Sequence, residues 1–147
     1  MFKHVLKRSA LVPYSAQRMF ELVNNIRDYP KFLPWCSSSK IISESDSEVV
    51  AELEIYWKGI RKSFTTRNCL HPYERVEITL VTGPLTHLDG VWGFTAFDEN
   101  ASKITLDMEF EFTRSFVDRL FQPIFQHIAN TFVEAFCKRA KELYGKK

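Results

Sequence analysis

Between Cys36 and Thr113 the chain alternates between apolar and polar positions. Val49, Ala51, Leu53, Ile55 and Trp57 interleave with Val50, Glu52, Glu54, Tyr56 and Lys58. Further on, Ile104, Leu106, Met108, Phe110 and Phe112 interleave with Thr105, Asp107, Glu109, Glu111 and Thr113. A period of two gives each strand one dry and one wet face, which predicts an antiparallel sheet. Turn formers at Lys58-Gly59, His71-Pro72, Gly83-Pro84 and Glu99-Asn100 divide the region at hairpin intervals. Upstream, His4 to Val12 reads as a strand stopped by Pro13-Tyr14, so about seven strands are expected in all.

Two other stretches have a helical period. After Ser15, whose hydroxyl suits the first-turn amides, Met19, Phe20, Val23 and Ile26 form one apolar stripe. The segment Asp28 to Trp35 holds two prolines, which leaves room only for a short turn or helix presenting Tyr29, Phe32, Leu33 and Trp35. The end reads as a long helix from Ser115 to Tyr144, opened by a Ser115/Asp118 capping box and closed by Gly145. Phe121, Phe125, Ile128, Phe132 and Phe136 share one face of it. Pro123 lies inside the pattern, where its missing amide proton and its ring predict a kink or a break.

This order of elements defines an α+β layout in one domain, 1–147. Two short N-terminal helices precede a strand meander, and a curved sheet wraps one long amphipathic helix. One helix underfills the concavity of so many strands, which leaves an apolar space suited to a hydrophobic ligand. Its candidate walls are Leu53, Ile55, Val76, Ile78, Leu80, Trp92, Phe94, Met108 and Phe110 on strands, and Phe125, Ile128, Phe132 and Phe136 on the helix. Periodicity alone reads the same residues as plain core. The Tyr29–Trp35 segment, with Phe32, Leu33 and Trp35, could be a lid over the cavity mouth, but a short aromatic-proline loop is more often a packed connection. Arg139 lies seven residues after Phe132. It therefore points toward the sheet and must pair with a local acceptor or meet a polar head group at the cavity mouth.

Composition sharpens this picture in one respect. Phe accounts for 13 of the 147 residues, against 3 Trp and 5 Tyr, and so many rings need a core or a cavity. A net charge of +2 gives no bulk attraction to nucleic acid, so no DNA partner is expected. Lys58, Arg61, Lys62 and Arg67 flank one hairpin and are candidates for RNA phosphates, but on numbers this small a solvated hairpin is the better explanation. The acidic stripe Asp107, Glu109 and Glu111 opposes RNA. Three scattered cysteines lack both disulfide and metal spacing, which points to a reducing compartment. The N-terminal residues do not read as a secretory signal, and no apolar run is long enough to span a membrane. The expectation is a cytoplasmic protein with at most peripheral membrane contact. His4, His71, His87 and His127 are scattered, and no catalytic or phosphate-binding motif is present. A binding protein with no required cofactor and no metal is therefore expected, rather than an enzyme.

Three blocks resemble a known family. Asp28-Tyr29-Pro30-Lys31-Phe32-Leu33-Pro34-Trp35-Cys36 is similar to the signature of the coenzyme-Q-binding, polyketide cyclase-like START proteins. Gly83-Pro84-Leu85 with Trp92-Gly93-Phe94 resembles the second block. Phe110-Glu111-Phe112 with Ala135 to Ala140 and Leu143-Tyr144 resembles the third. The likeness covers almost the whole chain and includes a bacterial branch of ribosome-association toxins. Leu85 and Thr86 stand where the family commonly has Phe and Lys.

The resemblance implies a START-like helix-grip fold. It implies binding of ubiquinone or another polyprenyl lipid between sheet and C-terminal helix, in support of respiration. The alternative it implies is the toxin of a toxin–antitoxin pair that binds the large ribosomal subunit and blocks subunit association. The first reading is preferred on sequence, because apolar periodicity supports it independently; a cyclase-type enzyme is a distant third.

Overall fold

The chain runs as strand β1 (His4–Val12), helix α1 (Ala16–Asn24), a 3-10 turn (Ile26–Asp28) and the single-turn helix α2 (Tyr29–Phe32). Six strands follow: β2 (Cys36–Glu44), β3 (Glu48–Trp57), β4 (Ile60–His71), β5 (Arg75–Thr82), β6 (Leu85–Asp98) and β7 (Ala101–Phe112). The long helix α3 (Phe116–Tyr144) comes last. This computed structural model describes residues 3–112 and 116–145, the side chains of 116–119 excepted. The Ser115/Asp118 capping box and the polar partner Thr113 lie outside the described residues.

The strands form one antiparallel sheet in the order β1-β7-β6-β5-β4-β3-β2. The six later strands are a meander, and β1 closes on β7 with His4 opposite Phe110 and Val12 opposite Ser102. Register shifts at Cys36/Ser38, Ile41/Ser43, Thr65/Thr66, Leu85/His87 and Ala96/Asp98 are where the sheet bends, since an extra residue on one strand tightens its twist. The turns sit where the turn formers do. Lys58 and Gly59 both have positive φ, 51° and 81°, which is the two-residue hairpin conformation matched to strand twist. Gly83 is needed for space, because a Cβ there would lie 2.6 Å from Phe64 Cβ.

Alternation sorts the faces as expected. Val49, Ala51, Leu53, Ile55, Ile104, Leu106, Met108 and Phe110 are buried on the inner face of the sheet, and their polar neighbours lie on the other face. Ser15 caps α1 by accepting from the Arg18 amide at 3.1 Å. Beneath α1, Met19, Phe20 and Val23 are buried, as is Ile26 in the following turn.

The expected interruption at Pro123 is not a break: α3 is one continuous helix across it. Proline sacrifices one backbone hydrogen bond there, but Phe121, Ile124 and Phe125 on either side are buried and hold both halves against the sheet. Gly145, with φ 78°, closes the helix by donating to the Lys141 carbonyl at 3.0 Å. Its own carbonyl accepts from the Tyr14 hydroxyl, and the Tyr144 hydroxyl donates to the Arg18 carbonyl at 3.2 Å. These bonds tie the end of α3 to the β1–α1 corner. Among the described residues, no helix is long and apolar enough to cross a membrane.

Candidate functional site: an apolar cavity and an outer groove

Two concavities meet along α3. The first lies between α3 and the sheet and has a volume of about 70 Å³. Its walls come from β3 (Ala51, Leu53), β4 (Phe64, Thr66, Asn68), Ile78, Leu88, Trp92 and Met108, and from Phe125, Ile128, Ala129 and Phe132 on α3. Val23, Ile26, Tyr29 and Trp35 close one end. The lining is almost wholly apolar. Its buried polar members partner each other, Thr66 Oγ1 donating to Asn68 Oδ1 at 3.1 Å. The Tyr29 hydroxyl donates to the Val23 carbonyl, and burial raises its pKa far above the ordinary phenol value, so it stays a donor.

The second concavity is an open groove of about 590 Å³ on the outer side of α3, bounded by the α2 segment and the tip of the β3–β4 hairpin. Its planar walls are Phe32, Trp35, Trp57 and His127. Trp57 and His127 stack with centroids 6.3 Å apart at 23°. Lys31, Thr131, Glu134, Lys138, Arg139 and Glu142 supply charge and hydrogen bonds. Trp35 and Ile128 line both spaces and so form the partition between them.

Of the sequence candidates, the structure brings Trp35, Leu53, Ile78, Trp92, Met108, Phe125, Ile128 and Phe132 to the inner cavity. Phe32 and Arg139 face the groove instead. Leu33, Ile55, Val76, Phe94, Phe110 and Phe136 are core that lines neither, and Leu80 lies at a shallow surface depression beside Gly83. Phe136 is fully buried, its ring 5.1–5.4 Å from those of Tyr29, Phe32, Trp92 and Phe132. The Tyr29–Trp35 segment is mostly a packed connection, since Tyr29, Leu33 and Trp35 are buried and Phe32 is half-buried.

Arg139 has a local acidic neighbour, one of the two outcomes its position allowed, and it faces the groove rather than the inner cavity. Its Nη1 is 3.6 Å from Glu142 Oε1, and its guanidinium lies 5.2 Å from the Phe32 ring centroid at the groove. Its Nε is buried without a hydrogen-bond partner.

Some lining residues were not predicted. Ala51 and Ala129 sit on dry faces, but only the packing shows that their small side chains leave the space. Thr66 and Asn68 point inward from β4 as polar residues, which breaks the apolar pattern that marks a wall. The groove draws on three separated segments, so no local motif announces it.

Charge elsewhere is largely paired. Arg61 bonds Glu54 at 2.8 Å and lies over Tyr56, and Arg67 is 3.5 Å from Glu48. The Ser37 hydroxyl, followed by Arg61, holds Glu54 below the usual carboxylate range. Burial pushes the Cys36 thiol up to about 11, so at neutral pH it is not a nucleophile. His87, Asp89 and Glu109 offer ligand atoms within 4.8 Å of one another, but they lie on the outer, wetter face of the sheet, and the imidazole is already 3.2 Å from Asp89.

A curved seven-strand sheet closed over one long helix, with an apolar space between them, defines a START-like helix-grip protein. Residues 12–137 match the family described as polyketide cyclase/dehydrase and lipid transport, and the chain belongs to that family. The ribosome association toxin RatA of Pseudomonas aeruginosa is 49% identical over 95% of this chain and 97% of its own length. A mitochondrial coenzyme Q-binding protein COQ10 homolog B from Xenopus laevis is 28% identical over 94% of this chain and 58% of its own. Among solved structures, the ZhuI aromatase/cyclase of Streptomyces sp. R1128 superposes with a TM-score of 0.83 at 15% identity, covering 95% of this chain and 94% of that one. A START superfamily protein from Mycobacterium smegmatis gives 0.77 at 16%, covering 95% and 99%. At those identities the solved structures establish the fold alone.

Proposed function

We propose that this protein binds the large ribosomal subunit and obstructs subunit association, acting as a toxin of the kind its relatives are named for. The observation that carries the reading is the 49% identity, over nearly the full length of both chains, to a ribosome association toxin. This reverses the order of preference that apolar periodicity alone suggested. The geometry supports the reversal. A pocket for a drug-sized ligand measures roughly 300 Å³ or more, so a cavity of about 70 Å³ holds neither a quinone ring nor its tail without repacking. The larger space is outside, on the surface that a macromolecule meets. The role is one of binding rather than catalysis, in the cytoplasm, with no cofactor required.

The test is a subunit-reassociation assay resolved on a sucrose gradient. Added protein should lower the joined-ribosome peak in proportion to its amount. An unchanged peak at stoichiometric excess overturns the proposal.

A second reading keeps the cavity in use. Its lining is apolar and enclosed, and a distant relative is named for coenzyme Q binding. A quinone or polyprenyl lipid would then enter by displacing Trp35 and Ile128. Organic extraction of gently purified protein, followed by mass spectrometry, should recover such a molecule at a sizeable molar fraction; repeated recovery of none excludes this reading.

A further inference from the structure

We infer that the outer groove is a binding site for an unpaired RNA nucleotide, its base stacked on the Trp57 face and its phosphate held by Lys138 and Arg139. The inference rests on the ribosome reading and names the contact through which that reading works.

Three features of the groove point to this occupant. First, it is lined with planar side chains, Phe32, Trp35, Trp57 and His127, and any base can stack on such a surface whatever its sequence. Trp57 is only half-buried and His127 is exposed, so both rings reach solvent at the groove even though they stack on each other. Second, Lys31, Lys138 and Arg139 all border the concavity that holds Glu134 and Glu142; Lys31 is paired with Asp28 at 3.3 Å, so Lys138 and Arg139 are the two offered to a phosphate. Arg139 is held loosely by the protein: among the described residues its acidic partner is Glu142 at 3.6 Å, beyond hydrogen-bond distance. Third, two carboxylates border the groove, Glu134 and Glu142, the latter 3.6 Å from Arg139. They disfavour an acyl chain, whereas the amino groups of bases are donors that a carboxylate accepts. The volume of about 590 Å³ is ample for one nucleotide.

A duplex buries its base faces, so the groove should distinguish single-stranded from paired RNA. Arg61 of the β3–β4 hairpin is a weaker candidate, because it already bonds Glu54 at 2.8 Å and lies over the Tyr56 ring.

The test measures fluorescence anisotropy of a labelled, short, mixed-sequence single-stranded RNA, and of the same sequence as a blunt duplex. The single strand should bind more tightly. Trp57→Ala should weaken it by about tenfold, as expected when one stacked base is lost. Lys138→Gln changes an exposed residue, so folding is not at risk; it should weaken binding severalfold and flatten the salt dependence. Lys103→Gln, on the far face of the sheet, should change nothing. Equal affinity for strand and duplex, or variants that bind like the wild type, overturns the inference.

Co-sedimentation of the same variants with purified large subunits separates the two levels of the argument. If all variants pellet like the wild type, the groove is not the contact, although the ribosome reading stands. If Trp57→Ala and Lys138→Gln lose the subunit but the wild type binds no free RNA, the occupant is a ribosomal protein and the nucleotide is excluded. If the wild type binds single strands through the groove yet never pellets, the groove chemistry holds and the ribosome reading falls.

Discussion

The inner cavity and the outer groove share a wall yet differ in every other property. The cavity is enclosed, apolar and about 70 Å³, with its few polar groups bonded to each other. The groove is open, about 590 Å³, and mixes rings with charges of both signs. What separates them is Trp35 and Ile128, backed by the packing of aromatic residues from α2 and α3. Phe136 fills the angle between Phe32 on the groove side and Trp92 on the cavity side. Thirteen phenylalanines therefore do not imply a large lipid chamber. Most of those rings pack on one another, and the space that remains for a partner is outside them.

The largest effect should come from breaking that partition. Phe136→Ala removes a fully buried ring and should cost about 3–5 kcal/mol in chemical denaturation. A cost below about 1 kcal/mol would mean that the partition yields easily and that the cavity can open to a larger ligand.

A second prediction uses pH to weigh the buried side. Cys36 lies beside Trp35, and burial raises its thiol from 9.0 to about 11. The neutral thiol is the form favoured by the fold. Stability from this group is thus complete below pH 9.0 and declines as pH rises through about 11. Thermal midpoints across that window should fall, and Cys36→Ala should flatten the decline. Tyr29, raised in the same direction by burial, adds to the loss at still higher pH.

The smallest stability effect belongs to the groove. Glu134 is exposed two residues before Phe136, and Glu134→Ala should alter stability by no more than about 0.5 kcal/mol. Damage equal to that of Phe136→Ala would show that the burial phase of α3 is wrong.

The sequence carried the fold well because the fold rests on local signals. Alternation assigned the faces of β3 and β7, Ser15 placed the start of α1, and Lys58-Gly59 fixed a hairpin. Pro123 left open a kink or a break within the predicted helix, and burial of Phe121 and Phe125 carries the helix through without a break.

The site was less legible. Periodicity identifies the inward face but not which inward residues border a space: Ile55 and Leu53 share a face of β3, and only Leu53 reaches the cavity. Cavity volume depends on how neighbouring rings interlock. Whether a cation is free depends on cross-strand partners such as Glu54 for Arg61, and a residue-by-residue reading of charge does not pair them.

If the outer surface rather than the inner cavity meets the ribosome, filling the cavity should leave that interaction intact. Ala129 is buried on the cavity wall and does not line the groove, so Ala129→Val narrows one space and leaves the other as it is. The direct measurement is co-sedimentation of wild-type protein and Ala129→Val with purified large ribosomal subunits at low salt. The account predicts that both pellet with the subunit to the same extent. A wild type that stays in the supernatant, or a correctly folded Ala129→Val that loses the subunit, would contradict it.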